Sequence, residues 1–152
     1  MGYEIVGYVQ IYNRTNKTWE MVDLKRYNKF RNKYEYVDIF SCGRTDYHEY
    51  LLEKSYALDD EDNHKANVAT DEDWGVEDDT VQFYGISLET IQNVVYKFKY
   101  DVKDKYEMMT REEIDDIIDF FSGLANDIRA IIRLAEEFVD DYDIRYVFME
   151  SY

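Results

Sequence analysis

The chain has 152 residues, with 18 Lys/Arg against 34 Asp/Glu for a formal charge of −16, one Cys and no Pro. That length suits one domain, residues 1–152, able to bury roughly two thirds of the surface its unfolded chain exposes. A lone Cys42 excludes an internal disulfide and points to a reducing cytoplasm, while the absence of any run of about 18 apolar residues excludes a helical membrane span.

The charge is unevenly placed. Residues 1–58 carry 9 cationic and 8 acidic side chains, 59–79 carry 1 and 10, 80–109 carry 4 and 4, and 110–152 carry 4 and 12. Two acidic blocks on a nearly neutral remainder repel nucleic-acid and membrane phosphates, so direct contact with either is not expected, and they attract basic surfaces. Met1-Gly2-Tyr3-Glu4-Ile5 lacks the basic then apolar layout of a secretory signal, and Val6 stands where a myristoylation motif requires Ser or Thr. Abundant Tyr, Asn, Ile, Lys and Asp with little Ala match AT-rich codons, as in a low-GC bacterium or its phage.

In chain order, Tyr3–Tyr12 alternates as a strand, Asn13–Lys17 supplies a turn, and Thr18–Leu24 returns as a second strand. Lys25–Lys33 mixes Lys25, Arg26, Lys29, Arg31 and Lys33 with Tyr27 and Phe30. Alone, that pattern suits nucleic acid; in so acidic a chain, neutralisation of neighbouring carboxylates explains it better. Tyr36, Ile39 and Phe40 fall at helical spacing before Gly43, which predicts a short helix over Tyr34–Ser41. Asp46–Leu58 fits a strand or a helical turn. Asp59–Asp79 holds few large apolar residues beyond Val68, Trp74 and Val76, and its composition predicts an acidic, mobile loop anchored by Trp74.

Thr80–Gly85 predicts a third strand, and Ser87 an N-cap for a helix through about Lys99, with Leu88, Ile91, Val94, Val95 and Phe98 on its apolar face. From Thr110 to Tyr142 the spacing of Ile114, Ile117, Phe121, Leu124, Ile128, Ile131, Ala135, Phe138 and Tyr142 predicts one long helix, opened by a Thr110-x-x-Glu113 capping box. Ser122-Gly123 marks a place for a kink or a close neighbour. Ile144–Met149 predicts a last strand. The fold class expected is α+β, a small, mostly antiparallel sheet packed by two helices, the C-terminal one long.

Metal and catalytic motifs are weak. Asp71-x-Asp73 opens a calcium-hand pattern, but Val76 and Gln82 occupy its Gly and Glu places. Cys42, His48 and His64 match no closed zinc spacing, and Cys42, His48 and Asp46 share nothing beyond proximity to suggest a nucleophile, base and orienter. No glycine cluster cradles phosphate. The expectation is no cofactor, no metal and no enzyme, because carboxylate pairs such as Asp115/Asp119 lie on the solvent face, away from an apolar pocket that would separate their pKa values.

The charge pattern remains. Carboxylates at Glu112, Asp115, Asp116, Asp119 and Asp127, then Glu136, Glu137, Asp140 and Asp141, would present two negative clusters roughly 30–40 Å apart on one helix. The Asp59, Asp60, Glu61, Asp62 run and the Asp71, Glu72, Asp73, Glu77, Asp78, Asp79 cluster add to that surface.

The Met1–Ile5 strand, the Trp19 strand, the Tyr34-x-Tyr36-x-x-Ile39-Phe40 segment and the Ser87-Leu88-Glu89 helix start resemble a loose group of small phage and prophage proteins over the first 90 or so residues. In acidity, size and tyrosine content the chain is similar to phage-encoded anti-defence proteins, including anti-CRISPR inhibitors and DNA-mimic anti-restriction proteins. That resemblance implies a stoichiometric inhibitor, working in the cytoplasm of a bacterial host, whose partner is a basic nucleic-acid-binding protein such as a CRISPR or restriction nuclease. It carries no active-site residue over. A homodimer built on the long amphipathic helix is the alternative, and a divalent-metal-binding protein a more distant one.

Overall fold

A computed structural model describes residues 4–22, 25–28, 33–36, 40–43, 47–74, 81–100, 110–134 and 138–151. Among these residues eight strands and four α-helices follow in the order β1 (Glu4–Asn13), β2 (Thr18–Met21), β3 (Lys25–Asn28), β4 (Lys33–Tyr36), β5 (Phe40–Gly43), α1 (Tyr47–Lys54), β6 (Tyr56–Ala57), α2 (Asp60–Trp74), β7 (Tyr84–Ser87), α3 (Leu88–Tyr100), α4 (Arg111–Leu134) and β8 (Ile144–Ser151). The main sheet is antiparallel throughout, in the order β2-β1-β8-β7-β6, and β5 pairs with the same long β1 over Glu4–Gly7 that β8 pairs on its other edge. β3 and β4 form a separate hairpin whose register sets Arg26 opposite Glu35. The class is α+β, as the sequence pattern predicts.

β8 explains why the sheet is covered on both faces. Its alternating side chains are buried on either side: Ile144, Tyr146 and Phe148 enter the larger core, and Val147 and Met149 a smaller one. The larger core joins Val9 and Ile86 of the sheet to Leu51 of α1, to Leu88, Ile91, Val94 and Phe98 of α3, and to Ile114, Ile117, Phe121, Leu124, Ala125, Ile128, Ile131 and Ile132 of α4. Each such Ile, Leu or Phe contributes roughly 1.5–3 kcal/mol by leaving water, so apolar burial alone is sufficient to dock α4. Gly7 makes room in this layer, since a Cβ there would lie 2.3 Å from the buried Tyr146 ring.

The opposite face is held differently. There, among the described residues, Tyr8, Leu58, Phe83, Val147 and Met149 meet only Ala66 from α2. The other contacts described for this helix are polar: Asn63 Nδ2 and Asn67 Nδ2 donate to the Val81 carbonyl at 3.0 and 2.9 Å, and Phe83 N donates to Asn63 Oδ1 at 2.7 Å. Two amides one turn apart thus satisfy backbone groups of residues 81–83 much as a neighbouring strand would.

Several expectations change. Residues 60–74 are helix where a loop was expected; apolar periodicity could not register a helix that docks through Asn63, Ala66 and Asn67. Over Tyr34–Ser41 the backbone is strand at 33–36 and 40–43, because β3 and β1 supply partners to β-prone aromatic residues; residues 37–39 lie outside the described residues. The third strand is displaced to Tyr84–Ser87. The long helix is described over Arg111–Leu134 and is absent from residue 138 onward, and residues 141–143 form a 3-10 turn. Continuing to Tyr142 would have set Glu136, Glu137, Asp140 and Asp141 in the last two turns, at the negative end of the helix dipole. Phe138, assigned by spacing to the apolar seam, is 99% exposed. α4 runs unbroken through Ser122-Gly123, and the space around Gly123 is open. Among the described residues no helix is long and apolar enough to cross a membrane.

Candidate interaction surface

α4 begins where Thr110 Oγ1 accepts the Glu113 backbone N–H at 3.1 Å, the bond the capping motif predicts. With the Ile114, Ile117 and Phe121 side of the helix turned into the core, Glu112, Glu113, Asp115, Asp116 and Asp119 project into solvent. Among the described residues none of Glu112, Glu113, Asp115 and Asp119 forms an ion pair. Glu112 and Glu113 lie in the first turn, where the dipole favours negative charge, so this crowding costs less than like charges would elsewhere on a helix. The opposite end carries exposed Arg129 and Arg133, which leaves the helix acidic at its start and cationic toward its end.

The second cluster expected on the same helix does not form there. Asp140 and Asp141 follow the helix, Asp140 sits 3.7 Å from Arg14 and accepts the Tyr142 hydroxyl at 2.8 Å, and Arg14 pairs more closely with Asp143 at 2.8 Å. Glu136 and Glu137 lie outside the described residues. The spacing of two negative clusters 30–40 Å apart on one rod is therefore withdrawn, leaving a single cluster over residues 112–119.

The run Asp59–Asp62 divides by role. Asp59 Oδ1 accepts the Asp62 N–H at 2.8 Å and caps α2, Asp60 stays exposed in its first turn, and Glu61 reaches Lys65 at 3.3 Å. Asp62 turns inward, its side chain only 23% exposed, to Arg145 at 3.4 Å. Inclusion of Asp62 in a partner-facing surface is thus corrected. Asp71, Glu72 and Asp73 fall in the final turn of the α2 backbone, their side chains outside the described residues, as are Glu77, Asp78 and Asp79 altogether.

Arg145 is the residue sequence reasoning undervalued. Its side chain is 3% exposed, on the small-core face of β8. Nε donates to Gln10 Oε1 at 2.7 Å, an Nη donates to the Tyr56 hydroxyl at 3.1 Å, and the guanidinium lies 4.2 Å from the Trp19 ring centre. One cation therefore ties β1, β2, β6 and α2 to the central strand, with a planar fork of donors that Lys could not reproduce and a cation–π contact besides. Burial pushes the neighbouring Tyr8 phenol well above its usual range; the Arg145 charge opposes that shift and Asp62 adds to it. The available signal was an Arg set between Ile144 and Tyr146 in an otherwise apolar run over residues 144–149.

Among the described residues no group of three or more His, Cys, Asp and Glu side chains is placed to hold a metal ion. The side chains of Cys42 and His48 lie outside the described residues. The apolar stripe of α4, on which pairing with a second copy would depend, is buried in the core of its own chain. Comparison with protein-family models, with curated proteins and with solved structures gives no match.

Proposed function

We propose that this protein is an acidic, non-enzymatic inhibitor of phage type that occupies the basic nucleic-acid-binding surface of a host defence nuclease, in the manner of an anti-CRISPR or anti-restriction protein. The observation that carries the reading is the exposed cluster Glu112, Glu113, Asp115, Asp116 and Asp119 at the start of α4. Eight residues of helix span about 10 Å of axis, and duplex DNA carries about six charges over that length. Five carboxylates on a helix backed by a packed core approach that density on a support that does not need ordering when the partner binds. Opposite potentials would speed encounter and make it salt-sensitive.

The test is a cleavage assay with a panel of purified CRISPR and restriction nucleases, comparing the wild-type chain with the triple variant Asp115→Lys, Asp116→Lys, Asp119→Lys. The expected result is stoichiometric inhibition of at least one nuclease, weakened by added salt and lost in the triple variant. Inhibition that survives the reversal removes this face from the mechanism, and inactivity of the wild type against the whole panel removes the reading.

A further inference from the structure

A groove of about 450 Å³ runs between α3 and α4, lined by Gln92, Val95, Tyr96, Lys99, Tyr100 and, from α4, Ser122, Ala125, Asn126 and Arg129. Its origin is legible in the helix faces. Positions 92, 95, 96, 99 and 100 share one side of α3, and positions 122, 125, 126 and 129 share one side of α4. The α4 wall is made of small side chains until Arg129, so two helices that pack tightly deeper in the core leave space near the surface. Ala125 is buried and Val95 packs against the core, which gives the groove an apolar floor.

Its chemistry contrasts with the rest of the chain. Tyr96 and Tyr100, 64% and 73% exposed, stand with ring centres 4.8 Å apart. Lys99 and Arg129 are exposed cations, and among the described residues neither forms an ion pair, although the chain as a whole carries −16. Among the described residues no carboxylate lines the groove, while Gln92, Ser122 and Asn126 bring amide and hydroxyl groups. Aromatic faces, exposed cations and amides round an apolar floor, within the roughly 300–1,000 Å³ range of small-molecule sites, are what a planar aromatic anion requires.

We infer that the α3/α4 groove is a binding site for a small planar anion of the nucleotide class, its ring against Tyr96 and Tyr100 and its phosphate between Lys99 and Arg129. A mononucleotide brings one phosphate to two cations. A nucleic-acid strand brings many and would meet the net repulsion of a chain that carries −16, so the single nucleotide is favoured. The site shares no residue with the acidic face of α4 and stands independently of the inhibitor reading.

Calorimetric titration of the full chain with AMP, GMP, CMP and UMP, each in turn, tests this. At least one should bind with one-to-one stoichiometry, and inorganic phosphate and the matching nucleoside should each bind at least about tenfold more weakly. Arg129→Gln and Tyr96→Ala should each weaken binding by about tenfold or more, with circular dichroism and Tm unchanged because both side chains are exposed. Asn126→Phe, which fills the groove from the opposite wall, should abolish it. The inference is overturned if none of the four nucleotides binds at millimolar concentration, if phosphate alone binds as tightly as the nucleotide, if the three variants bind as the wild type does, or if a single-stranded oligonucleotide binds more tightly than any monomer.

Discussion

Two helices of this molecule begin in acidic runs, and the two runs are used in opposite ways. At the start of α2, Asp59 caps the helix, Glu61 meets Lys65, and Asp62 is drawn in to the buried Arg145. At the start of α4, the cap is Thr110, and Glu112, Glu113, Asp115 and Asp119 have no ion-pair partner among the described residues. In sequence the two look equally acidic. The difference comes from what each helix docks with: α4 binds through an apolar stripe that leaves its carboxylates outside, whereas among the described residues α2 binds through one buried alanine, two amides and one inward carboxylate. A count of acidic residues therefore overstates the charge a partner would meet on the α2 side.

The strongest way to break the comparison is to remove the cation on which α2 converges. Arg145→Met keeps the length and packing of the stem but leaves Asp62 without its cation and Gln10 and Tyr56 without their donor. Loss of one partner from a buried ion pair costs about 3–5 kcal/mol, and the partial exposure of Asp62 sets the expectation at about 3 kcal/mol, measured by urea denaturation. The Asp115, Asp116 and Asp119 reversal should do the reverse: stability within about 1 kcal/mol of wild type, since these residues face solvent, with affinity for an inhibited nuclease falling about a hundredfold. A triple variant that unfolds would show that the exposed run is as structural as its counterpart. The caps should then prove equivalent, Asp59→Ala and Thr110→Ala each costing about 1 kcal/mol in the same denaturation assay, because both close the same kind of unsatisfied N–H.

How much of this was legible beforehand follows the same division. β1, β2, β8, α3 and α4 over Arg111–Leu134 could be read because burial there is apolar and periodic: Ile114, Ile117, Phe121, Leu124, Ile128 and Ile131 declare their face by spacing. The N-caps at Ser87 and Thr110 could be read because the motif is local; Thr90 N donates to Ser87 Oγ at 3.0 Å. α2 could not, because Asn63 and Asn67 dock through hydrogen bonds to a segment eighteen and fourteen residues away, and amide side chains carry no periodic signature. The end of α4 was missed because Phe138 and Tyr142 continue the spacing while the carboxylates beside them oppose it, and dipole and charge prevail over pattern once no core remains to cover Phe138. Of the candidate site, the acidic start of α4 was visible; the diversion of Asp62 was not, since Arg145 lies eighty-three residues further on.

The finest test concerns Asp127, which belongs to neither acidic run. It lies in the half of α4 that ends in Arg129 and Arg133, and partial burial raises its carboxyl pKa above the usual carboxylate value. A raised pKa means that, just above the ordinary carboxylate range, the folded state holds more proton than the unfolded state, so stability falls as pH rises through that window. The burial penalty is present in full at neutral pH and is relieved on acidification, opposite in sign to a carboxylate stabilised by a partner. Asp127→Asn removes the titration at nearly unchanged helix propensity. It should raise Tm slightly at pH 7, with the gain shrinking to nothing as the pH drops below the ordinary carboxylate range. A gain that persists in acid would instead trace to amide hydrogen bonding. A loss at pH 7 would mean that the Asp127 charge is held by a favourable contact, which would place it with the committed carboxylates of α2.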